Sequence, residues 1–168
     1  MSAFTVKVAS ANDAPAVADL LEASYSELLA GHYPEELLAR VLPLMTRANV
    51  RLLTSGTYFL ATSADGSAVG CGGWTLERPG TGETVDGVAH IRHFATHPEW
   101  TGKGVGRALL SRSIREAEAA SATTIEVYST LNAEKFYGAA GFTRLGAMEL
   151  PFTPQTKFPA VHMTRKSA

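Results

Sequence analysis

Residues 89 to 110 read Ala89-His90-Ile91-Arg92-His93-Phe94-Ala95-Thr96-His97-Pro98-Glu99-Trp100-Thr101-Gly102-Lys103-Gly104-Val105-Gly106-Arg107-Ala108-Leu109-Leu110. Ile91, Phe94 and Thr96 give the first part β character. Pro98, which has no N–H to donate to a ladder, ends it. Glycine then recurs at alternate positions, Gly102, Gly104 and Gly106, and Ala108, Leu109 and Leu110 open a helical pattern. A strand, a glycine-rich turn and a helix start together aim unpaired backbone N–H groups at one point. Glycine supplies the positive φ and the close approach that such a turn requires. Lys103 and Arg107 place positive charge beside it. The stretch predicts a cradle for a phosphate or pyrophosphate.

Upstream, alternation of Phe4, Val6 and Val8 predicts a first strand over Phe4 to Ala9. Helices follow over about 14–29 (Val17, Leu20, Leu21, Tyr25) and 35–46, the second with Pro43 as a kink or an early end. Tyr58 to Thr62 and Ala68 to Leu76 read as a hairpin about Asp65-Gly66. Residues 77–87 read as a loop, and 89–96 as the fourth strand. Downstream, a helix over about 104–120 leads to a strand over 124–129 and a short helix over 132–140. Strands over 142–150 and 161–165 close the chain, with a proline-bearing loop, 151–159, between them. Early hairpins followed by a strand–helix–strand crossover predict an α/β fold of the α+β type. A mixed sheet of about seven strands is covered by helices on both faces.

The 168 residues suffice for one domain, 1–168, with a sizeable core. Hydrophobic residues at 45% and charged residues at 18% fit an ordinary soluble globule. A net charge of −1 gives no global basic field for nucleic acid. No apolar run reaches the length of a membrane span, and the first residues show no signal-peptide pattern, so a cytoplasmic location is expected. Cys71 is the only cysteine, which rules out an internal disulfide and leaves no cysteine-based metal site; no metal is expected. In a strand of small residues its thiol reads as inert.

Three glycine-loop chemistries compete. A P-loop needs Gly-x-x-x-x-Gly-Lys-Ser/Thr, and no such string occurs. A Rossmann turn needs Gly-x-Gly-x-x-Gly directly after its strand. Here Arg107 stands at the third glycine position, and residues 97–101 separate strand from turn. Glu126 does lie about 20 residues past the glycines, where a ribose-binding acid is expected, which keeps a dinucleotide-dependent oxidoreductase among the alternatives.

The third option fits best. His97 to Leu109 closely resembles the acyl-CoA-binding segment of the GNAT superfamily of N-acetyltransferases, with its Gln/Arg-x-x-Gly-x-Gly/Ala pattern. Ser129 to Phe142 resembles the second signature of that family, through Asn132, Phe136-Tyr137 and Gly141-Phe142. The family usually places Gln or Arg where this chain has Thr101; Lys103 and Arg107 could compensate.

The resemblance implies a single GNAT-like domain, largely antiparallel, with a parallel pair, strands four and five, that splays to admit acetyl-CoA. Backbone groups of Phe94, Ala95 and Thr96 would pair with the pantetheine arm. Thr101, Gly102, Lys103, Gly104, Val105, Gly106 and Arg107 would hold the pyrophosphate, and Asn132 and Phe136 would contact the arm, with Asn132 also capping its helix. The N–H of Phe94 is the candidate donor to the thioester carbonyl. Tyr137 matches the acid that protonates the departing thiolate. His90 sits where family members place a base, direct or through water. Simple alternation puts His90, Arg92, Phe94 and Thr96 on one face and Ile91, His93 and Ala95 on the other, which leaves His93 and His97 as structural residues. Arg92 could meet an acidic substrate group or pair with Glu126, while His162 shows no partner in the sequence.

The implied reaction is direct acetyl transfer to a primary amine in a ternary complex. A small molecule is the expected acceptor, with a protein amine as runner-up. A non-catalytic acyl-CoA-binding module is the rival, disfavoured by the presence of Tyr137 and His90. Tyr25, His32, Tyr33, Trp74, Glu77 and Arg78 are candidates to line the acceptor site. No nucleic-acid or membrane partner is expected. A homodimer is among the expectations, since dimers are common in the resembled family.

Overall fold

In this computed structural model, which describes residues 3–167, seven strands form one sheet. They are β1 (Phe4–Val8), β2 (Tyr58–Ser63), β3 (Ala68–Thr75), β4 (Val88–Thr96), β5 (Thr124–Ser129), β6 (Thr143–Thr153) and β7 (Thr156–Lys166). Their order is β1-β2-β3-β4-β5-β7-β6. Only the β4–β5 pair is parallel. The helices are α1 (Ala14–Leu28), α2 (Glu35–Met45), α3 (Val50–Leu53), α4 (Val105–Ala119) and α5 (Glu134–Ala139). Among the described residues no helix is long and apolar enough to cross a membrane.

Period-two and period-3.6 patterns build two apolar layers about this sheet. On β2, Tyr58 and Leu60 point to one face and Phe59 and Ala61 to the other. The first face is covered by α1, whose buried Val17, Leu20, Leu21, Ser24 and Tyr25 recur at helical spacing, and by α2. The second is covered by α4 through Val105, Leu109, Leu110 and Ile114. Close approach of α4 depends on Gly70, where an added Cβ would lie 2.4 Å from Val105 Cγ1. The mixed, helix-covered sheet agrees with the sequence expectation.

One local expectation is corrected. The proline-bearing segment 151–159 is a hairpin arm, not a loop: β6 continues to Thr153 and β7 begins at Thr156. Pro151 lies on the edge strand, and Pro159 on the part of β7 beyond the end of β5, where Ser129 pairs with Val161. A missing N–H costs nothing on an unpaired edge. Pro43 falls in the last turn of α2, which ends at Met45. The short α3 is nucleated by Asn49, whose Oδ1 accepts from Arg51 N (3.0 Å) and Leu52 N (3.3 Å).

Candidate active site

β4 and β5 pair at Val88–Thr124, Ala89–Ile125 and His90–Glu126, and then part. On its other edge β4 carries a bulge. Cys71 faces Ala95 and Gly73 faces Arg92, so Gly72 alone opposes His93 and Phe94. His93 takes a φ of 49°, left-handed for a non-glycine residue. Three contacts hold this conformation. The Tyr58 hydroxyl donates to the His93 carbonyl at 2.7 Å, and the Tyr25 hydroxyl to the Phe94 carbonyl at 2.8 Å. His93 Nε2 lies 2.8 Å from the Met45 carbonyl. Gly72 leaves room for the Phe94 ring, since a Cβ there would lie 2.4 Å from it.

The bulge overturns simple alternation along β4. Phe94 now packs with the Ile91 layer under α4, while Ala95 joins the α1 layer and His93 reaches Met45 at the end of α2. The extra residue inverts the faces of everything after it.

Two cavities meet at this split. An inner chamber of about 350 Å³ passes between the parted strands toward α1, α2 and the β6–β7 hairpin. An outer cleft of about 840 Å³ runs along the start of α4. They share Thr96, Thr101, Gly106 and Phe136, so they adjoin where the strands part. Gly102 and Gly104 both have positive φ (74° and 84°), and Gly104 is the residue before the first turn of α4. The residues of that turn line the cleft, and a helix start leaves its first N–H groups unpaired, which suits an anion. Lys103 stacks its ammonium on Trp100, 4.9 Å from the ring centroid, and Arg107 lines the cleft. Thr101, in place of the longer side chain usual in the resembled family, donates from Oγ1 to the Pro98 carbonyl at 3.1 Å and lines both cavities.

Asn132 lines the chamber. Its Oδ1 is buried without a hydrogen-bond partner among the described residues, and it caps neither the 131–133 turn nor α5. A buried amide oxygen at the chamber wall fits a ligand carrying N–H donors, as the pantetheine arm does. Tyr137 is 5% exposed and lines the chamber, packed edge-on against Phe94 (6.4 Å), Phe136 (5.0 Å) and Phe142 (5.7 Å). Burial pushes its phenol well above the ordinary range, so it stays protonated.

His90 is only 3% exposed and does not line the chamber. Burial lowers its pKa against the opposing pull of Glu126, and Arg78, Arg92 and His162 lower it further. Glu126 is taken by His162, whose Nε2 lies 3.1 Å from Oε1. Arg92 therefore pairs not with Glu126 but donates from Nη1 to Thr75 Oγ1 at 2.9 Å. His97 Nδ1 accepts from Glu99 N at 3.1 Å and so shapes the turn before the glycines. Burial drives the Cys71 thiol up to about 12, so it is not a nucleophile.

Of the residues expected to line an acceptor site, Tyr25 lines the chamber. Tyr33 buttresses the wall behind it: its hydroxyl donates to Pro159 O (2.7 Å), accepts from Leu131 N (2.9 Å), and its ring stacks on Phe158 at 4.4 Å. Trp74 belongs to the α4-side core, His32 is exposed, and Glu77 and Arg78 lie outside the chamber. Wall residues that periodicity does not single out include Leu28, Phe152 and Phe158.

His90 and His93 are both held below the usual imidazole value of 6.5 by burial. A depressed folded-state pKa means that the unfolded chain binds the proton first. Stability is therefore complete above about pH 6.5 and falls as the pH drops below it, by up to about 1.4 kcal/mol per pH unit per histidine. Urea unfolding at pH 7.5 and 5.0 measures this. His93→Gln is expected to flatten the decline, and an equal slope in wild type and variant contradicts the assignment.

Residues 25–157 match the family model described as an acetyltransferase (GNAT) domain. No curated protein matches the sequence. Among solved structures, a GCN5-related N-acetyltransferase from Rhodopseudomonas palustris, also described as "Aminotransferase, Class-II", superimposes with a TM-score of 0.80. It shares 24% identity, and the match covers 99% of this chain and 98% of that one. The PaiA N-acetyltransferase from Thermoplasma acidophilum, solved in complex with coenzyme A, gives 0.73 at 17% identity, covering 99% and 100%. The ribosomal-protein-S18-alanine N-acetyltransferase from Escherichia coli gives 0.63 at 20% identity, covering 97% and 93%. At these identities the likeness is one of fold.

Proposed function

The chain belongs to the GNAT family of acetyltransferases, and from that premise we propose that it moves an acetyl group from acetyl-CoA to a primary amine of a small molecule. The observation that carries this reading is the pair of adjoining cavities at the strand split: a glycine-turn cleft suited to pyrophosphate meets a chamber lined by both Phe94 and Tyr137. The coenzyme A complex of the Thermoplasma acidophilum neighbour supports the donor. A small acceptor is supported by the size of the chamber, about 350 Å³, beside which the Tyr33 hydroxyl ties the α1–α2 turn to β7 and to Leu131.

In this mechanism the Gly102–Arg107 turn holds the pyrophosphate, and the β4 backbone at Phe94, Ala95 and Thr96 pairs with the pantetheine arm, beside Asn132 and Phe136. The Phe94 N–H donates to the thioester oxygen as it gains negative charge. The amine nitrogen attacks the carbonyl carbon, the C–S bond breaks, and Tyr137 gives its proton to the sulfur. We assign removal of the amine proton to His90 acting through water. Its imidazole is kept neutral by burial, and Glu126 favours the imidazolium that forms. His93 is less suited, because its Nε2 is committed to Met45.

Release of free CoA thiol from acetyl-CoA across a panel of amines tests the reading directly; no release with any amine overturns it. In the same assay Gly104→Val is expected to weaken acetyl-CoA affinity by about tenfold or more, since a β-branched residue is strained at the φ of 84° that the turn needs. His90→Ala is expected to remove the acidic limb of the kcat profile, and a retained limb excludes it as the titrating group.

A further inference from the structure

We propose that the acceptor amine is carried on an apolar, uncharged body and is bound as the neutral amine, because the chamber that receives it holds no ionised side chain. The inference rests on the acetyl-transfer reading above and narrows its substrate class.

Among the described residues, the chamber lining contains no Asp, Glu, Lys or Arg. Its titratable groups come from four elements and all are uncharged near pH 7. Tyr25 of α1, Tyr128 of β5 and Tyr137 of α5 have phenols raised by burial. His93 of β4 is lowered by burial. Glu126, two residues before Tyr128 on β5, lies outside the lining and is bonded to His162. The acceptor side is walled by Leu28, Met45, Leu150, Phe152 and Phe158. Phe152 meets Phe158 edge-on at 5.4 Å, and Phe158 is stacked on Tyr33. This wall suits a ring or a branched hydrocarbon.

An ammonium entering this chamber would lose its water and meet no counter-charge, which disfavours the charged form. It can escape that cost by leaving one proton in solvent. The amine then arrives as the nucleophile, and selection of the reactive form is done by the wall rather than by a side-chain base alone. A second ammonium or a carboxylate on the same molecule could not escape so readily. Diamines, polyamines and amino acids are therefore selected against.

Calorimetry on the full chain saturated with CoA tests this, with 2-phenylethylamine and putrescine as probes at pH 7 in two buffers of different ionisation enthalpy. The expected result is binding of 2-phenylethylamine about tenfold or more tighter than putrescine, with about one proton released per amine bound. Equal or tighter binding of putrescine, or binding of 2-phenylethylamine without proton release, overturns the proposal. Leu28→Glu places a carboxylate in the wall at a half-buried site. It is expected to abolish proton release and shift preference toward the diamine, and an unchanged preference also counts against the idea. The two readings fail separately. Proton-releasing binding of 2-phenylethylamine with no thiol release from acetyl-CoA overturns transfer and leaves this inference standing. Thiol release driven best by putrescine does the reverse.

Discussion

Tyr137→Phe is expected to lower kcat by about 100-fold while acetyl-CoA affinity stays nearly constant. The phenol is buried among Phe94, Phe136 and Phe142, and burial holds it protonated through the neutral range. A donor that never ionises at working pH suits delivery of a proton to a departing thiolate and adds no limb of its own to the pH profile. The variant keeps the ring, so the aromatic packing survives. The hydroxyl makes no hydrogen bond to another described residue, so stability should change by less than about 1 kcal/mol. Thiol-release kinetics give kcat, calorimetry gives acetyl-CoA affinity and urea unfolding gives stability. A kcat equal to that of the wild type removes Tyr137 from the role of acid.

Gly72→Ala is expected to reduce kcat by about 100-fold or more, the magnitude associated with loss of one oxyanion donor. The new Cβ would stand 2.4, 2.5 and 2.6 Å from Cδ1, Cε1 and Cγ of Phe94, which are atoms of the rigid ring, its attachment carbon included, and not a flexible tip. The ring cannot retreat freely, since Tyr137 packs beside it and Tyr25 holds the Phe94 carbonyl. Relief must come from the backbone of the bulge, and that movement turns the Phe94 N–H away from the thioester. Overpacking should also cost about 1–3 kcal/mol of stability, visible in urea unfolding. Tyr25→Phe separates aim from packing, because it removes only the 2.8 Å hydrogen bond to the Phe94 carbonyl. It is expected to lower kcat about tenfold at nearly unchanged acetyl-CoA affinity. Wild-type kcat in both variants contradicts the assignment of the Phe94 N–H.

Local chemistry along the chain carries much of the fold. Alternate glycines after a proline-ended strand announced a turn of positive φ before a helix, and Gly102 and Gly104 adopt it. Apolar spacing announced α1, α2 and α4, because a helix buries the face its own periodicity creates. The turn together with Asn132, Phe136-Tyr137 and Gly141-Phe142 pointed to the GNAT family, to which the chain belongs. The prolines of the β6–β7 hairpin misled, since whether a missing N–H matters depends on whether a neighbouring strand is there to receive it.

By itself, then, the sequence determined what neighbours along the chain can dictate: the glycine turn, the helix faces, the mixed sheet and the family. Tertiary structure alone decided which way β4 presents its side chains. The bulge exists because Gly72 on β3 makes room for the Phe94 ring and because Tyr25 and Tyr58, from α1 and β2, hold its two carbonyls. It also decided the character of the chamber, whose walls come from α1, α2, β4, β5, α5 and the β6–β7 hairpin. No window of sequence holds those residues together. That Glu126 is turned to His162 and lies outside the chamber lining is a fact of packing, not of composition.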